Sequence, residues 1–333
     1  MERAVARNNW SYAARRALAA LAVIAASAMP SPAQDYPSRP IHILVPYAPG
    51  GIADIAARIV GAKITEAWGQ QVVVENRPGG NGFIAVTDAV RSAADGYTLV
   101  MATGGDVAIN PVLFKKVPYD VARDLAPIAS VSDAPLVLAV NADTLYRTVA
   151  DVIAAAKAKP NEINVCTPGY GSINQIVLEW MALNSGTKFV HVPYKGGAPA
   201  AQALMAGDIP VGILASSSVA PGVQSGRIRV LAVTMAKRSA LDPQWPTLQE
   251  EGIKEVDASN WTALFAPKAT PQPIIDKLGA EVVKILAMPD VKERFAAGGV
   301  VTIPSTAAEL DARIKRELSG YRAIIEKADI HVD

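Results

Sequence analysis

The chain has 333 residues, enough for about two domains, and half of them are hydrophobic, which excludes a disordered polar chain. Its formal charge of +1 leaves no basic footprint for nucleic acid, and a single cysteine excludes an intramolecular disulfide. Three histidines, His42, His191 and His331, lie far apart without metal-ligand spacing, so neither a metal nor any other cofactor is expected.

The N-terminus reads apart from the rest. Arg3, Arg7, Arg15 and Arg16 precede an apolar run from Ala17 to Ala28, and Met29-Pro30-Ser31-Pro32-Ala33 follows. A charged segment, a short apolar segment and small residues make a cleavable export signal over residues 1–33, too short for a membrane span of ~30 Å. Cleavage is expected after Ala33, so the mature chain should be exported.

Beyond it, strands and helices alternate. Ile41–Val45 is a continuous apolar run, the pattern of a strand covered on both faces. Ile52, Ile55, Ala56, Ile59 and Val60 then repeat at helical spacing. Short strands are expected at Val72–Val74, Tyr97–Ala102, Leu136–Val140, Ile163–Cys166, Phe189–Val192, Val211–Leu214 and Val230–Thr234. Helices are expected at Phe83–Arg91, Val149–Lys157, from Ile173 through Met181, and at Ile274–Leu286, Val291–Ala297 and Ala307–Lys327. Alternation of this kind predicts an α/β fold with mostly parallel sheets.

Two strand-to-helix loops carry the chemistry. Tyr47-Ala48-Pro49-Gly50-Gly51-Ile52-Ala53-Asp54 and Thr167-Pro168-Gly169-Tyr170-Gly171-Ser172 each end a strand and open a helix. Free N–H groups and the positive dipole end of a helix suit an anion, and glycines let it approach. Ordinary capped turns would read the same way. Enzyme motifs fail: there is no phosphate loop and no nucleophile elbow. Gly80-Asn81-Gly82-Phe83-Ile84-Ala85 matches a dinucleotide fingerprint, but it follows an Arg-Pro turn and no acidic residue ends the next strand. Cys166 reads as a small buried residue, and His191 as a core histidine rather than a base.

The loop Pro46-Tyr47-Ala48-Pro49-Gly50-Gly51, with Asp54 and Ala57-Arg58, resembles the first signature of the Bug-type extracytoplasmic solute-binding proteins of tripartite tricarboxylate transporters. Glu75-Asn76-Arg77-Pro78-Gly79-Gly80, Asp95-Gly96-Tyr97-Thr98-Leu99, Ile109-Asn110-Pro111 and Pro118-Tyr119-Asp120 continue the series in register. So do Val192-Pro193-Tyr194-Lys195-Gly196, Leu231-Ala232-Val233-Thr234, Pro246-Thr247-Leu248, and Trp261 with Ala266-Pro267. The resemblance spans about residues 36–330. It implies a two-lobed periplasmic-binding-protein-like (type II) α/β fold with a ligand cleft between lobes. Lobe 1 would comprise residues 34–132 and 256–333, and lobe 2 residues 133–255.

The resemblance further implies a monomeric receptor, not an enzyme, which captures a small carboxylate for inner-membrane transporter subunits. A periplasmic sensor acting on a membrane kinase is the alternative, and a secreted hydrolase using Ser172 or Ser216 is a weaker one. The expected ligand-binding residues are Tyr47, Gly50, Gly51, Ile52 and Ala53 in the first loop, and Thr167, Gly169, Tyr170, Gly171 and Ser172 in the second. Tyr194, Thr103 and Ser216 stand at neighbouring strand ends. The chain departs from the resemblance at Ala53, where Thr or Ser is usual, at Gln175 in place of His, at Pro210 in place of Asp, and at Leu214-Ala215-Ser216-Ser217, which lacks an Asp-Asn pair. Few acidic groups near the loops argue against an amino-acid ligand, whose ammonium wants a buried carboxylate.

Overall fold

Strand β1 (Ile41–Val45) lies inside the first sheet, between the strands Thr98–Thr103 and Val72–Asn76, and all of it but His42, which pairs with Glu75, is buried. The computed structural model describes residues 36–330, and the expected export signal lies outside them. From Arg39 onward the chain forms one compact unit. The elements are β1, α1 (Ile52–Trp68), β2 (Val72–Asn76), α2 (Phe83–Arg91), β3 (Thr98–Thr103), α3 (Asn110–Leu113), α4 (Val121–Asp124), β4 (Leu125–Ala134) and β5 (Leu136–Asn141). They continue with α5 (Val149–Ala158), β6 (Asn164–Thr167), α6 (Ile173–Ser185), β7 (Val190–Pro193), α7 (Gly197–Ala206), β8 (Val211–Ala215), α8 (Ser216–Gln224) and β9 (Ile228–Val233). The last are β10 (Asn260–Pro267), α9 (Gln272–Ala287), α10 (Pro289–Ala297), β11 (Val301–Thr302) and α11 (Ala307–Lys327).

Two sheets result. The first has the order β11-β4-β10-β3-β1-β2 and the second β7-β6-β8-β5-β9. The expectation of mostly parallel sheets needs correction. β1 runs parallel to β2 and β3, but β10 is antiparallel to β3 and β4, and β11 is antiparallel to β4. In the second sheet β6 runs parallel to β7 and β8, while β5 is antiparallel to β8 and β9. The cause is the path of the chain. Each sheet takes in one strand from the other, β5 in the second and β10 in the first, and it runs against the local βαβ units, while β11 turns back beside β4.

The chain passes from the first sheet to the second at Pro135, between β4 and β5, and returns between β9 and β10. The two passages lie side by side: Asn260 pairs with Ala134 and Trp261 with Asp133. Ser216 N donates to Pro135 O at 2.9 Å, and Ala258 N donates to Thr234 O at 3.0 Å, which closes the backbone ladder across the passage.

Each sheet has its own core. Leu44, Val100, Trp261 and Phe265 centre the first, with helices α2 and α11 on them. The second is covered on both faces, one by Val152, Val177 and Met181, the other by Leu204, Leu214 and Val219. Among the described residues no helix is long and apolar enough to cross a membrane.

Candidate functional site

The site grows out of the carboxyl end of β1. After Val45 the chain leaves the sheet through Tyr47 and reaches Gly51, the N-cap of α1, which has no side-chain cap. The first N–H groups of a helix have no intrahelical acceptor, so those of Ile52 and Ala53 remain as donors beside a positive dipole end.

What holds this loop in place is a buried carboxylate. Asp54 accepts from Gly50 N at 2.9 Å, from Asn76 Nδ2 at 2.9 Å and from the Arg58 guanidinium at 2.9 Å. Asn76 Nδ2 also donates to Tyr47 O at 3.0 Å. Burial alone would raise the Asp54 pKa, but the hydrogen bonds from Arg58, Gly50 and Asn76 outweigh it and hold the group below its ordinary value. The sequence motifs around Asp54, Arg58 and Asn76 are thus the fastening of the loop, one layer behind the ligand face.

A second buried carboxylate, Asp106, braces Tyr47 and Thr103. Tyr47 Oη donates to Asp106 Oδ1 at 2.9 Å, while Thr103 N and Oγ1 donate to Oδ2 at 2.7 and 2.8 Å. Burial pushes the Asp106 carboxyl up to about 6, against the opposing pull of those hydrogen bonds. Gly82, at φ +89, lies so close that an added Cβ would strike Asp106 Oδ1. The Gly80-Asn81-Gly82 turn therefore owes its glycines to packing over this carboxylate and to positive φ, not to a dinucleotide.

From the second sheet, α6 meets the same space with its first turn partly answered by side chains, while the amides of Ile173 and Asn174, like those of Ile52 and Ala53, have no intrahelical acceptor. Ser172 Oγ accepts from Gln175 N at 3.3 Å and donates to Gly169 O at 2.7 Å. Gly171 N donates to Gln175 Oε1 at 2.8 Å. Two donors expected to face a ligand are thus answered within the chain, because Gln175 reaches back over its own helix start.

Between these walls lies a cavity of about 630 Å³. Of the residues expected from sequence, it is lined by Tyr47, Gly51, Ile52, Ala53 and Thr103 on one side and by Tyr170, Gly171 and Ser172 on the other. The structure sets the remaining ones outside the wall. Gly50 N is turned back to Asp54, and Thr167 is fully buried, its Oγ1 2.6 Å from His191 Nε2. Gly169 and Tyr194 are not on the wall, and Ser216 is buried at the start of α8, where Ser218 faces the cavity instead. Sequence reasoning missed Asn81, Asn110, Phe114, Asn174, Trp261 and Tyr321, all on the wall. Asn110 and Trp261 stood in recognisable motifs; Tyr321, on α11, gave no local signal.

Behind Trp261 sits a buried charged group at the passage between the sheets. Trp261 Nε1 donates to Glu317 Oε2 at 2.9 Å, Arg313 Nε to Glu317 Oε1 at 2.7 Å, and Ser259 Oγ to Asp133 Oδ2 at 2.7 Å. Burial pushes Asp133 up to about 6, with Arg313 acting in the other direction.

No nucleophile is activated here. Ser172 Oγ is engaged by backbone, and burial drives His191 down to about 4, so it stays neutral at pH 7 and is spent on Thr167. Burial likewise pushes the Cys166 thiol up to about 12. Among the described residues no group of His, Cys, Asp and Glu is arranged to hold a metal.

The profile of the "Tripartite tricarboxylate transporter family receptor" matches residues 56–330. The chain belongs to this receptor family. It is 34% identical to protein BugT of Bordetella pertussis over 316 residues, 94% of this chain and 97% of the relative. Two solved structures share the whole fold. A periplasmic transporter is 31% identical with a TM-score of 0.76, covering 90% of this chain and 100% of its own. A protein of R. palustris solved with adipate is 29% identical with a TM-score of 0.77, covering 89% and 99%. The receptor family is not one of enzymes, in keeping with a site whose polar groups bind and orient.

Proposed function

We propose that this receptor works in the periplasm, capturing a small carboxylate and presenting it to inner-membrane transporter subunits. Residues 1–33 act as its export signal. Two lobes, expected to divide at residues 132/133 and 255/256 and parted here by the passages at Pro135 and Ser259, close on the ligand. The observation that carries this reading is the uncapped N-terminus of α1, which offers the N–H groups of Ile52 and Ala53 to a cavity walled from both sheets. The family's receptor role and the adipate held by the R. palustris relative support it.

The carboxylate sits on the Ile52 and Ala53 amides. Each hydrogen bond to an ionised group is worth roughly 1.5–3 kcal/mol. Bridging waters add contacts of nearly equal quality. A ligand touching both walls favours the closed arrangement by its differential affinity. The two adjacent passages at Pro135 and Ser259 are where the chain bends. Mass spectrometry of material released from the native protein, followed by calorimetry with that compound, tests the reading. Recovery of a carboxylate that rebinds supports it; a bound compound without an acidic group overturns it.

A further inference from the structure

Two carboxamides on the cavity wall have their donors tied and their acceptors free, and they bear on the ligand's body; the inference rests on the carboxylate-receptor reading above. Asn110, on α3, donates from Nδ2 to Asn81 O at 2.7 Å, and Asn174, on α6, donates from Nδ2 to Ile213 O at 2.9 Å. A carboxamide whose nitrogen is held on a carbonyl has its orientation set, so each Oδ1 points the other way. Neither oxygen has a hydrogen-bond partner among the described residues, and neither is sealed inside the protein. Asn110 is 6% exposed and Asn174 5%, and both line the cavity, so the free acceptors are aimed into it.

They come from opposite walls: α3 follows β3 of the first sheet and α6 follows β6 of the second. The residues before them, Ile109 and Ile173, pack in the same apolar cluster, so the two acceptors stand near the seam where the walls meet. Tyr321, buried in that cluster and also on the wall, adds a hydroxyl with no partner among the described residues, and burial keeps it un-ionised.

Open to solvent, such acceptors bond to water. A ligand that takes the water's place restores those hydrogen bonds only by bringing donors of its own, and a plain hydrocarbon body leaves two buried acceptors unpaired. A site with buried polar groups of this kind discriminates against the analogue that lacks the matching hydroxyl. The matching donor is neutral. Among the described residues, none that lines the cavity is Asp or Glu, so an ammonium would be desolvated without a counter-charge.

We propose that the receptor selects hydroxylated carboxylates, with the carboxylate on the open helix-start amides and hydroxyl groups of the body donating to Asn110 Oδ1 and Asn174 Oδ1.

The test is calorimetry on the purified protein, freed of bound material by reversible denaturation. Gluconate and hexanoate share one chain length, with and without hydroxyls along it, and sorbitol is the neutral counterpart of gluconate. Malate, succinate and aspartate share one frame and differ by a hydroxyl, a hydrogen or an ammonium at a single carbon. Gluconate is expected to bind at least tenfold tighter than hexanoate, or malate at least tenfold tighter than succinate, and aspartate to bind more weakly than malate. No gain from hydroxyls in either pair overturns the proposal and leaves the carboxylate reading intact, as does aspartate binding more tightly than malate. Sorbitol binding as tightly as gluconate, or no acid binding at all, overturns that reading and the proposal with it. Asn110→Ala and Asn174→Ala, checked for folding by circular dichroism, are each expected to reduce the preference for the hydroxylated acid severalfold. An unchanged preference in the folded variants overturns the assignment of the hydroxyls to these residues; where a variant does not fold, the wild-type series decides.

Discussion

Replacing Asp54 by Ala tests whether the first loop is held from behind. Asp54 is 3% exposed and fastens three neighbours: the Gly50 amide, the Asn76 carboxamide and the Arg58 guanidinium. Hydrogen bonds to a charged group are worth roughly 1.5–3 kcal/mol each. Arg58 is half exposed and recovers water, so its share is discounted toward the 0–1 kcal/mol of a surface pair. Gly50 is exposed and its amide also regains water in part, which leaves the Asn76 carboxamide as the main loss. The sum is a destabilisation of about 2–4 kcal/mol, measured by urea denaturation at pH 7. The loop also frees Tyr47 and the start of α1, so affinity for the identified ligand should fall at least tenfold. Asp54→Asn keeps one acceptor and should fall between. Stability within about 0.5 kcal/mol of wild type, together with unchanged affinity, would refute the role given to this carboxylate.

Three further outcomes follow from the same geometry. The Asp106 carboxyl holds its proton more tightly folded, at about 6, than at its ordinary value of 3.8. Its contribution to stability is therefore full below about pH 4 and is lost as pH rises toward 6, on the order of 2–3 kcal/mol at 1.36 kcal/mol per unit. Asp106→Asn, which imitates the protonated form, should gain on wild type by that amount between pH 4 and 7 in chemical denaturation; a constant difference would count against it. Ser172→Ala removes a helix cap and should cost ~1 kcal/mol in thermal or urea melts, with a smaller effect on affinity. Gly51→Ala introduces a Cβ that meets only Ala48 O at 3.7 Å, so it should leave the melting temperature nearly unchanged while weakening ligand binding severalfold in calorimetry. Gly171→Val, at φ +68, should lose stability as well, which makes it the poorer probe.

Much of the fold was legible where one physical signal dominated. β1 was a run apolar but for His42 between breakers, and α11 followed its helical periodicity across its full length. β4 was not legible, because Pro127 within Leu125–Ala134 argues against a strand. The structure resolves the conflict: β11 pairs only with Ser132 and Asp133, so Pro127 sits where β4 has no neighbour on that side. α8 was hidden for a related reason, since Ser216-Ser217-Ser218 and Pro221 read as a loop. The antiparallel strands were missed because direction in a sheet depends on the chain's long passage and return, not on local pattern. At the site, the glycine loops after β1 and β6 announced themselves. Which of their amides remain open did not, because that depends on Gln175 folding back to Gly171 and on Asp54 reaching Gly50.

The placement of the buried charges explains how the cavity wall can be both neutral and ordered. Asp54, Asp106, Asp133 and Glu317 are buried, and each has a partner behind the wall, although Asp133 Oδ1 is left without one. Through them the loop of Tyr47, the hydroxyl of Thr103 and the indole of Trp261 are fixed before any ligand arrives, so binding does not have to order them. A wall made this way presents oriented dipoles rather than counter-ions. It holds an anion by hydrogen bonds that break one at a time as the walls separate, without leaving a buried unpaired cation behind. A charged wall would impose that penalty on every release. For a receptor whose task is to capture a solute and then give it up, the neutral wall with its charges set one layer back is the arrangement that serves both steps.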